Sequence, residues 1–551
     1  MKQAGSKHIN SFLESFFKLK RDINRWSFAT LFILLIIAVP VFTIGIKLFD
    51  GPGESWLHIS DYLLPSYLKN SFYLAILCSI ITILFGVSSA WLVTRYHFPF
   101  RKALEWLLII PLAIPSYIVA YAYAGFFDYG GIYASFFEVF EIANAKLDIM
   151  NVFGLAFVLS ISLFPYVYVS ARAFFLNQAI SLLEASRLLG VSEWKSFVKL
   201  IIPLARPAVV AGLVLVLMEV LNDYGAAKYF GVNTFTTGIF RSWFSLEEPE
   251  TAIYLSALLL ILVFGLILIE KWQRRKIQYS SIKSANTKPN KKIISPKWQQ
   301  FLICFTVLIP VVLGFFVPVW QLLIWAFKTF RQVLNPSLFW LSLQSFGIAF
   351  ITAFFTVLFA LVLLYFSKWN KITFIKNASK LGVLGYAIPG AVVAIGIMMP
   401  TLLIDKWLIN QGLITKFLIN GTLIALVYAY VVRFLAVAYQ PLESSSLKVN
   451  NSIPDSSKIL GMGNFKTFYK IEFPLIRAGM LSAFILVFID TLKELPLTLI
   501  LKPYHVNTLA VKAYEFASDE MVMQAAIPSL CIILTALIPV IFLNKLLLKN
   551  E

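Results

Sequence analysis

The chain has 551 residues, of which 59% are hydrophobic and 14% charged, where an ordinary soluble domain is roughly a quarter charged. A mean hydropathy of +0.80 leaves too little polar material to cover a water-soluble core, so composition excludes a soluble globular protein and indicates an all-α polytopic membrane protein. The formal net charge of +19, from 47 Lys+Arg against 28 Asp+Glu, would suit nucleic acid or an anionic membrane, depending on where the charges lie.

A membrane-crossing helix needs about 20 mostly apolar residues. In chain order, a polar segment 1–27 precedes a first candidate span at 28–48, which reads as retained, because no small-residue cleavage site follows it. Five more candidates follow at 66–94, 103–125, 151–176, 201–222 and 251–270. A basic linker, 271–300, then carries Arg274, Arg275, Lys276, Lys283, Lys288, Lys291 and Lys292 among serines, Asn286 and Pro289. Six further candidates lie at 301–327, 343–366, 380–404, 419–440, 475–494 and 525–543. The expected domains are therefore a cytoplasmic segment 1–27, a first six-span domain 28–270, the linker, and a second six-span domain 301–551.

With the N-terminus inside, the alternate segments assigned to the cytoplasm hold 30 Lys+Arg against 9 outside, while acidic residues divide 8 to 15 the other way. That asymmetry predicts both termini in the cytoplasm. The charge becomes a topology signal, and no nucleic acid is expected as a partner.

Chemistry-bearing residues are sparse. Cys78, Cys304 and Cys531 sit singly in apolar runs, and the four histidines are scattered, so neither a disulfide framework nor a metal site is expected. No phosphate-binding glycine loop of the GxxxxGK[ST] kind occurs, so the chain has no nucleotide site of its own.

The two halves superimpose as sequences. From Ser181 to Gly225 partners lie 271 positions apart: Ser186 with Ser457, Leu189-Gly190 with Leu460-Gly461, Lys195 with Lys466, Phe197 with Phe468, Pro203-Leu204 with Pro474-Leu475 and Arg206 with Arg477. At an offset of 274, Ala113-Ile114-Pro115 matches Ala387-Ile388-Pro389, and Pro40 corresponds to Pro318. Six spans separate the copies, so the repeat is parallel, two six-helix bundles about an axis along the membrane normal.

The best-matched segments, 177–203 and 441–474, fall in predicted cytoplasmic loops. Ser181 with Glu184, and Ser452 with Asp455, have the form of a helix capping box. Gly190 and Gly461 stand where a short helix should end left-handed. A second short amphipathic helix carries Trp194, Phe197 and Val198, or Phe465, Phe468 and Tyr469, before Pro203 or Pro474 opens the next span.

Glu184-Ala185-Ser186, three residues, Gly190, nine residues, then Leu200-x-Ile202-Pro203 resembles the EAA loop of the permease subunits of bacterial ABC importers. The second copy reads Asp455-Ser456-Ser457, three residues, Gly461, nine residues, Ile471-x-Phe473-Pro474. The fused form, with Ala113-Ile-Pro-Ser-Tyr-Ile-Val-Ala-Tyr-Ala-Tyr123 in the third span, most resembles the ferric-iron permeases. Asp455 and Ser456 depart from the family's Glu and Ala, and Ser186 and Ser457 from its second Ala.

The resemblance implies a type I ABC importer permease fold in the bacterial inner membrane and loops that dock two copies of a cytoplasmic ATPase. ATP and magnesium would be held by that partner, and a substrate-binding protein would dock outside. It leaves open the same machine for thiamine, sulfate, polyamine or phosphonate, and a twelve-span secondary transporter stands as the competing class.

Ionisable groups inside spans mark paths or pairs. Glu219 and Asp223 lie four apart, as do Asp490 and Glu494 in the second copy, and are read as sharing one helical face about 24 Å from Pro203 or Pro474. They are candidates for a translocation path or outer gate, with Lys493 a neutralising neighbour. Tyr117, Tyr121 and Tyr123 read as packing and interfacial residues rather than iron ligands. Pro111, Pro115, Pro389 and Pro400 are expected to kink their helices, and Arg172 and Arg433 to snorkel at cytoplasmic ends.

Overall fold

A computed structural model describes residues 25–128, 131–133, 148–176, 186, 189–275, 293–294, 296–370, 388–450 and 452–548. The first half forms α1 (Arg25–Lys47), α2 (Leu64–Arg95), α3 (Arg101–Leu107), α4 (Ser116–Phe127), α5 (Val152–Phe174), α6 (Ile202–Asn222), the short α7 (Gly225–Tyr229) and α8 (Pro249–Arg275). The second half forms α9 (Lys297–Val311), α10 (Val317–Val333), α11 (Pro336–Trp369), α12 (Gly390–Asn410), α13 (Leu423–Lys448), α14 (Ser452–Ile459), α15 (Arg477–Lys493), α16 (Pro496–Leu501), α17 (Leu509–Ser518) and α18 (Ala526–Leu548).

Among the described residues nine helices are long and apolar enough to cross a membrane, two bent pairs add broken spans, and Ala526–Leu537 is a shorter apolar helix. These account for the twelve segments expected from hydropathy. The third is not merely kinked: Arg101–Ala113 and Ser116–Phe127 meet at 94°. Ile114, ahead of Pro115, is driven to an extended ψ of 122°, and Pro115 then heads the next helix. The eleventh breaks by 74° at Ile476, between Asn464–Leu475 and Arg477–Lys493. The ninth is described only from Ile388 onward, and there Pro389 starts α12 rather than bending it.

On α1 the inward stripe is Ile33, Ile37 and Ile44, yet Phe28, Phe32, Leu35 and Phe42 are exposed. A helix apolar all round, with one stripe packed and the rest uncovered, is the pattern of a lipid-facing span.

The chain divides into two compact units that cut across the sequence halves. One holds Met1–Asp50 with Leu343–Thr508, the other Gly51–Ser342 with Leu509–Glu551. Each unit therefore takes its first span from the opposite half. In the first, α1 lies on α12 and α13 on α15. A Cβ on Gly396 of α12 would stand 2.6 Å from the carbonyl oxygen of Pro40, so the missing side chain lets the backbones touch. The Asp405 carboxylate at the other end of α12 accepts from the amides of Leu418, Ile419 and Asn420 at 3.2, 3.1 and 2.7 Å, folding the loop before α13. In the second unit α2, α5 and α6 pack mutually, with α10 against α4 and α18. Gly86 on α2 and Gly212 on α6 both abut α5, where a Cβ would come within 2.8 Å of Val167 Cβ and 2.7 Å of the Tyr166 carbonyl oxygen.

Candidate functional site

Where both copies are described, the duplicated loop takes the same form. In the second copy α14 ends at Gly461, whose φ of +82° favours a residue without Cβ; Met462 N–H donates back to the Ser457 carbonyl at 3.0 Å and Gly461 N–H to Lys458 at 3.0 Å. In the first copy Gly190 has φ +72°, and Val191 N–H donates to the Ser186 carbonyl at 3.0 Å. The short helices Glu193–Ser196 and Asn464–Thr467 follow, each running through a wide π-type turn into the segment opened by Pro203 or Pro474.

One side-chain hydrogen bond holds each turn shut. Ser196 donates to Ser186 at 2.8 Å, and Ser457 and Thr467 share a hydrogen bond of 2.7 Å, both buried. Serine in place of the family's second alanine thus meets a hydroxyl ten residues on, in both copies. Phe197 lies 4.3 Å from the Trp91 ring, and Phe468 lies 4.4 Å from Tyr365, so an aromatic pair pins the first loop to α2 and the second to α11, in each half the second span. At the tip, Leu189 and Leu460, matched in the repeat, are 80% and 79% exposed, and Ile459, Phe465 and Tyr469 add uncovered apolar surface beside Leu460. The sequence comparison paired the two leucines, but only the structure reveals their exposure.

Glu184 and Ala185 lie outside the described residues, as does the side chain of Trp194. The capping box expected at Ser452 and Asp455 does not form. Asn450 Oδ1 accepts from Ser452 N–H at 3.1 Å instead, satisfying a free amide at the helix start. Asp455 faces solvent, 3.8 Å from Lys458, and the Ser456 hydroxyl donates to the Ser452 carbonyl at 2.7 Å.

The membrane carboxylates do not share one helical face. α6 stops at Asn222 and α15 at Lys493, and the next residues, Asp223 and Glu494, turn the chain with ψ of 121° and 120°. Each carboxylate then caps the following short helix. Asp223 Oδ1 accepts from the amides of Ala226 and Ala227 at 2.9 and 3.2 Å, and Glu494 Oε1 from Leu497 at 3.2 Å. Their carbonyls accept from Thr236 and Thr498, both at 2.7 Å. The remaining carboxylate oxygens are treated differently. Ser116, the first residue of α4, donates to Asp223 Oδ2. In the second copy Gly390 occupies that position, and Arg433 Nε stands 3.2 Å from Glu494 Oε2.

Arg433 is therefore not a snorkelling residue. It is buried midway along α13 and also donates to the Ile388 carbonyl at 3.3 Å, because Glu494 needs a counter-charge. Arg172 does lie near the end of α5, paired with Glu105. Glu219 sits half-buried one turn before the break, and its copy Asp490 pairs with Lys493 at 2.9 Å. Sequence reading missed Ser116, Gly390 and Arg433 as partners, although the Pro115–Pro389 match brings the first two into register.

Tyr123 donates to the Leu313 carbonyl at 2.7 Å, a packing role as its spacing suggested. Tyr117 and Tyr121 are buried, and the Tyr121 ring lies 4.6 Å from Tyr229. Among the described residues no group of three His, Cys, Asp or Glu could hold a metal ion.

Comparison with known proteins adds likenesses. Residues 82–277 match the binding-protein-dependent transport system inner membrane component. The chain is 27% identical over 497 residues to the Fe(3+)-transport system permease protein FbpB 2 of Haemophilus influenzae, covering 88% of this chain and 90% of that one. The sulfate transport system permease protein CysT of Escherichia coli is 28% identical over 204 residues, 37% of this chain and 72% of its own. The spermidine/putrescine transport system permease protein PotB of Haemophilus influenzae is 25% identical over 260 residues, 44% and 90%.

Proposed function

We propose that this chain, a fused two-domain permease subunit of an ABC importer, carries ferric iron across the cytoplasmic membrane. One observation carries the choice of cargo: the ferric-iron permease aligns with both halves, over 88% of the chain, whereas the sulfate and polyamine permeases align over 37% and 44%.

In this reading both termini and both duplicated loops face the cytoplasm, on the side where basic residues concentrate. Each loop presents its leucine tip, Leu189 or Leu460, with Gly190 or Gly461 behind it, to one copy of an ATPase subunit. Glu184, Ala185, Ser186 and Trp194 belong to the first contact, and Asp455, Ser456, Ser457 and Phe465 to the second. Nucleotide and magnesium reside on the partner. In the first copy the π-type turn joins the loop directly to the span entered at Pro203, so a push on that loop is transmitted as a rigid displacement, whereas in the second the 74° break at Ile476 stands between the loop and Arg477–Lys493. Differential affinity of the ATPase pair for two arrangements of the spans drives the change, and a binding protein delivers cargo from outside.

The test is uptake by proteoliposomes holding the chain, its ATPase and its binding protein. Iron accumulation that depends on ATP and is unaffected by excess sulfate or spermidine is the expected result. ATP-dependent accumulation of sulfate or spermidine, with none of iron, would overturn the cargo while leaving the machine.

A further inference from the structure

The repeat supplies an internal control for residues buried at membrane depth. Pro115 and Pro389 head α4 and α12 in the same way, with ψ of 140° and 143°, so Ser116, Tyr117 and Tyr121 stand where the second copy has Gly390, Ala391 and Ile395. Beyond the carboxylate turn, Tyr224 and Tyr229 stand where the second copy has Leu495 and Ile500. Ala391, Ile395 and Leu495 are fully buried, so the architecture is complete without any hydroxyl at those places.

The first copy nevertheless gathers them. Tyr121 lies between Tyr117, at 5.8 Å, and Tyr229, at 4.6 Å, while Tyr514 of α17 donates to the Tyr224 hydroxyl at 3.2 Å. Asp223 is tied to α4 by the hydroxyl of Ser116, five residues before Tyr121, and caps α7, whose Tyr229 ring lies against Tyr121. Tyr121 is 1% exposed, and among the described residues its hydroxyl has no hydrogen-bond partner. Asp223 forms no ion pair among the described residues, whereas its copy Glu494 is matched by Arg433. A buried hydroxyl left unbonded on the helix that holds a carboxylate lacking a counter-charge is a cost that packing does not require and that the other copy avoids.

We propose that Tyr121 and Asp223 form a one-sided contact for the cargo on its path, accepting a hard cation through phenolic and carboxylate oxygen. Oxygen donors of this kind suit hard cations and offer nothing to an oxyanion on the carboxylate side. α7 packs directly on α4, so displacement of this short helix is the movement that bares the hydroxyl. The proposal rests on the ferric-iron reading.

The experiment is ferric-iron uptake by the reconstituted importer carrying Tyr121→Phe, with thermal unfolding of the same preparation. Removing an unbonded hydroxyl should leave the melting temperature unchanged or raised, while uptake falls at least tenfold. Uptake within twofold of wild type, with wild type transporting iron, overturns this contact alone. A wild-type complex that carries sulfate and no iron overturns both the contact and the cargo. Should Tyr121→Phe fail to assemble, Tyr121→Ile, the side chain borne by the second copy, provides the same comparison. Failure of both to assemble would show that the phenol is structural and would also overturn the contact.

Discussion

The Tyr428 hydroxyl donates to the main-chain carbonyl of Ile36 at 2.6 Å, across 392 positions of sequence. Ile36 is the carbonyl that Pro40, four residues on, cannot serve, since proline has no amide hydrogen. The second copy meets the same need with other residues. The π-type turn Val312–Phe316 shifts the register to five residues, so Pro318 would free the Leu313 carbonyl, and Tyr123 donates to it. In lipid no water can satisfy such a group.

Tyr428→Phe should cost about 1 kcal/mol, the net worth of a typical hydrogen bond, measured by thermal unfolding in detergent. Pro40→Ala restores a local donor, so the phenylalanine change should cost less in that background. An equal cost in both backgrounds would count against the link between proline and tyrosine.

Arg433 and Glu494 are 5% and 7% exposed at the side chain. Arg433→Met alone should destabilise by about 3–5 kcal/mol, because a buried carboxylate loses its counter-charge. Adding Glu494→Gln should recover a large part, since no charge is then stranded and glutamine can still accept from Leu497 N–H. Additive losses in the double variant would refute the pairing as the source of the effect. Gly390→Ala should be poorly tolerated for a separate reason: its Cβ would lie 2.5 Å from Glu494 Oε1 and 2.7 Å from Arg433 Nη1.

Replacing both Gly190 and Gly461 with valine should abolish co-purification of the ATPase while leaving the membrane fraction unchanged. Open space surrounds both glycines, so the damage is to backbone conformation at φ +72° and +82°, not to packing. Ser457→Ala with Thr467→Val removes the 2.7 Å bond that closes the second turn. That pair should weaken ATPase binding several-fold, read by titration of the detergent-solubilised chain. Undiminished association in both variants would falsify the docking role.

Glu248 offers a pH-dependent contact outside the spans. Ser55 donates to it through its hydroxyl at 2.5 Å and its amide at 3.2 Å, and Thr251 adds a bond of 2.8 Å. The Ser55 hydroxyl, above all, holds the carboxyl below its ordinary value. A depressed carboxylate contributes stability that is present above its unfolded pKa, about 4.3, and is lost as pH falls through the folded value. Wild type and Ser55→Ala should therefore differ most in melting temperature near neutral pH and converge on acidification. A gap that stays constant from pH 7 to pH 3 would remove Glu248 from the explanation.

Hydropathy, charge asymmetry and the repeat are local or periodic properties, so the chain's residues alone determined the membrane class, the twelve apolar segments, the two copies and the glycine-ended turns at Gly190 and Gly461. The serines at 186 and 457 could be read only as departures, because their partners become neighbours once the turn closes. Arg433 looked like an end residue for the same cause, since its counter-charge lies 61 positions away and on another helix. Only the tertiary structure decided that each unit borrows its first span from the opposite half. It also decided that Asp223 and Glu494 cap breaks rather than line a face, and that Tyr121 is buried without a bond. The physical reason is that lipid leaves every polar group to be satisfied within the protein, and the partner that satisfies it is chosen by proximity in space, which no span of sequence encodes.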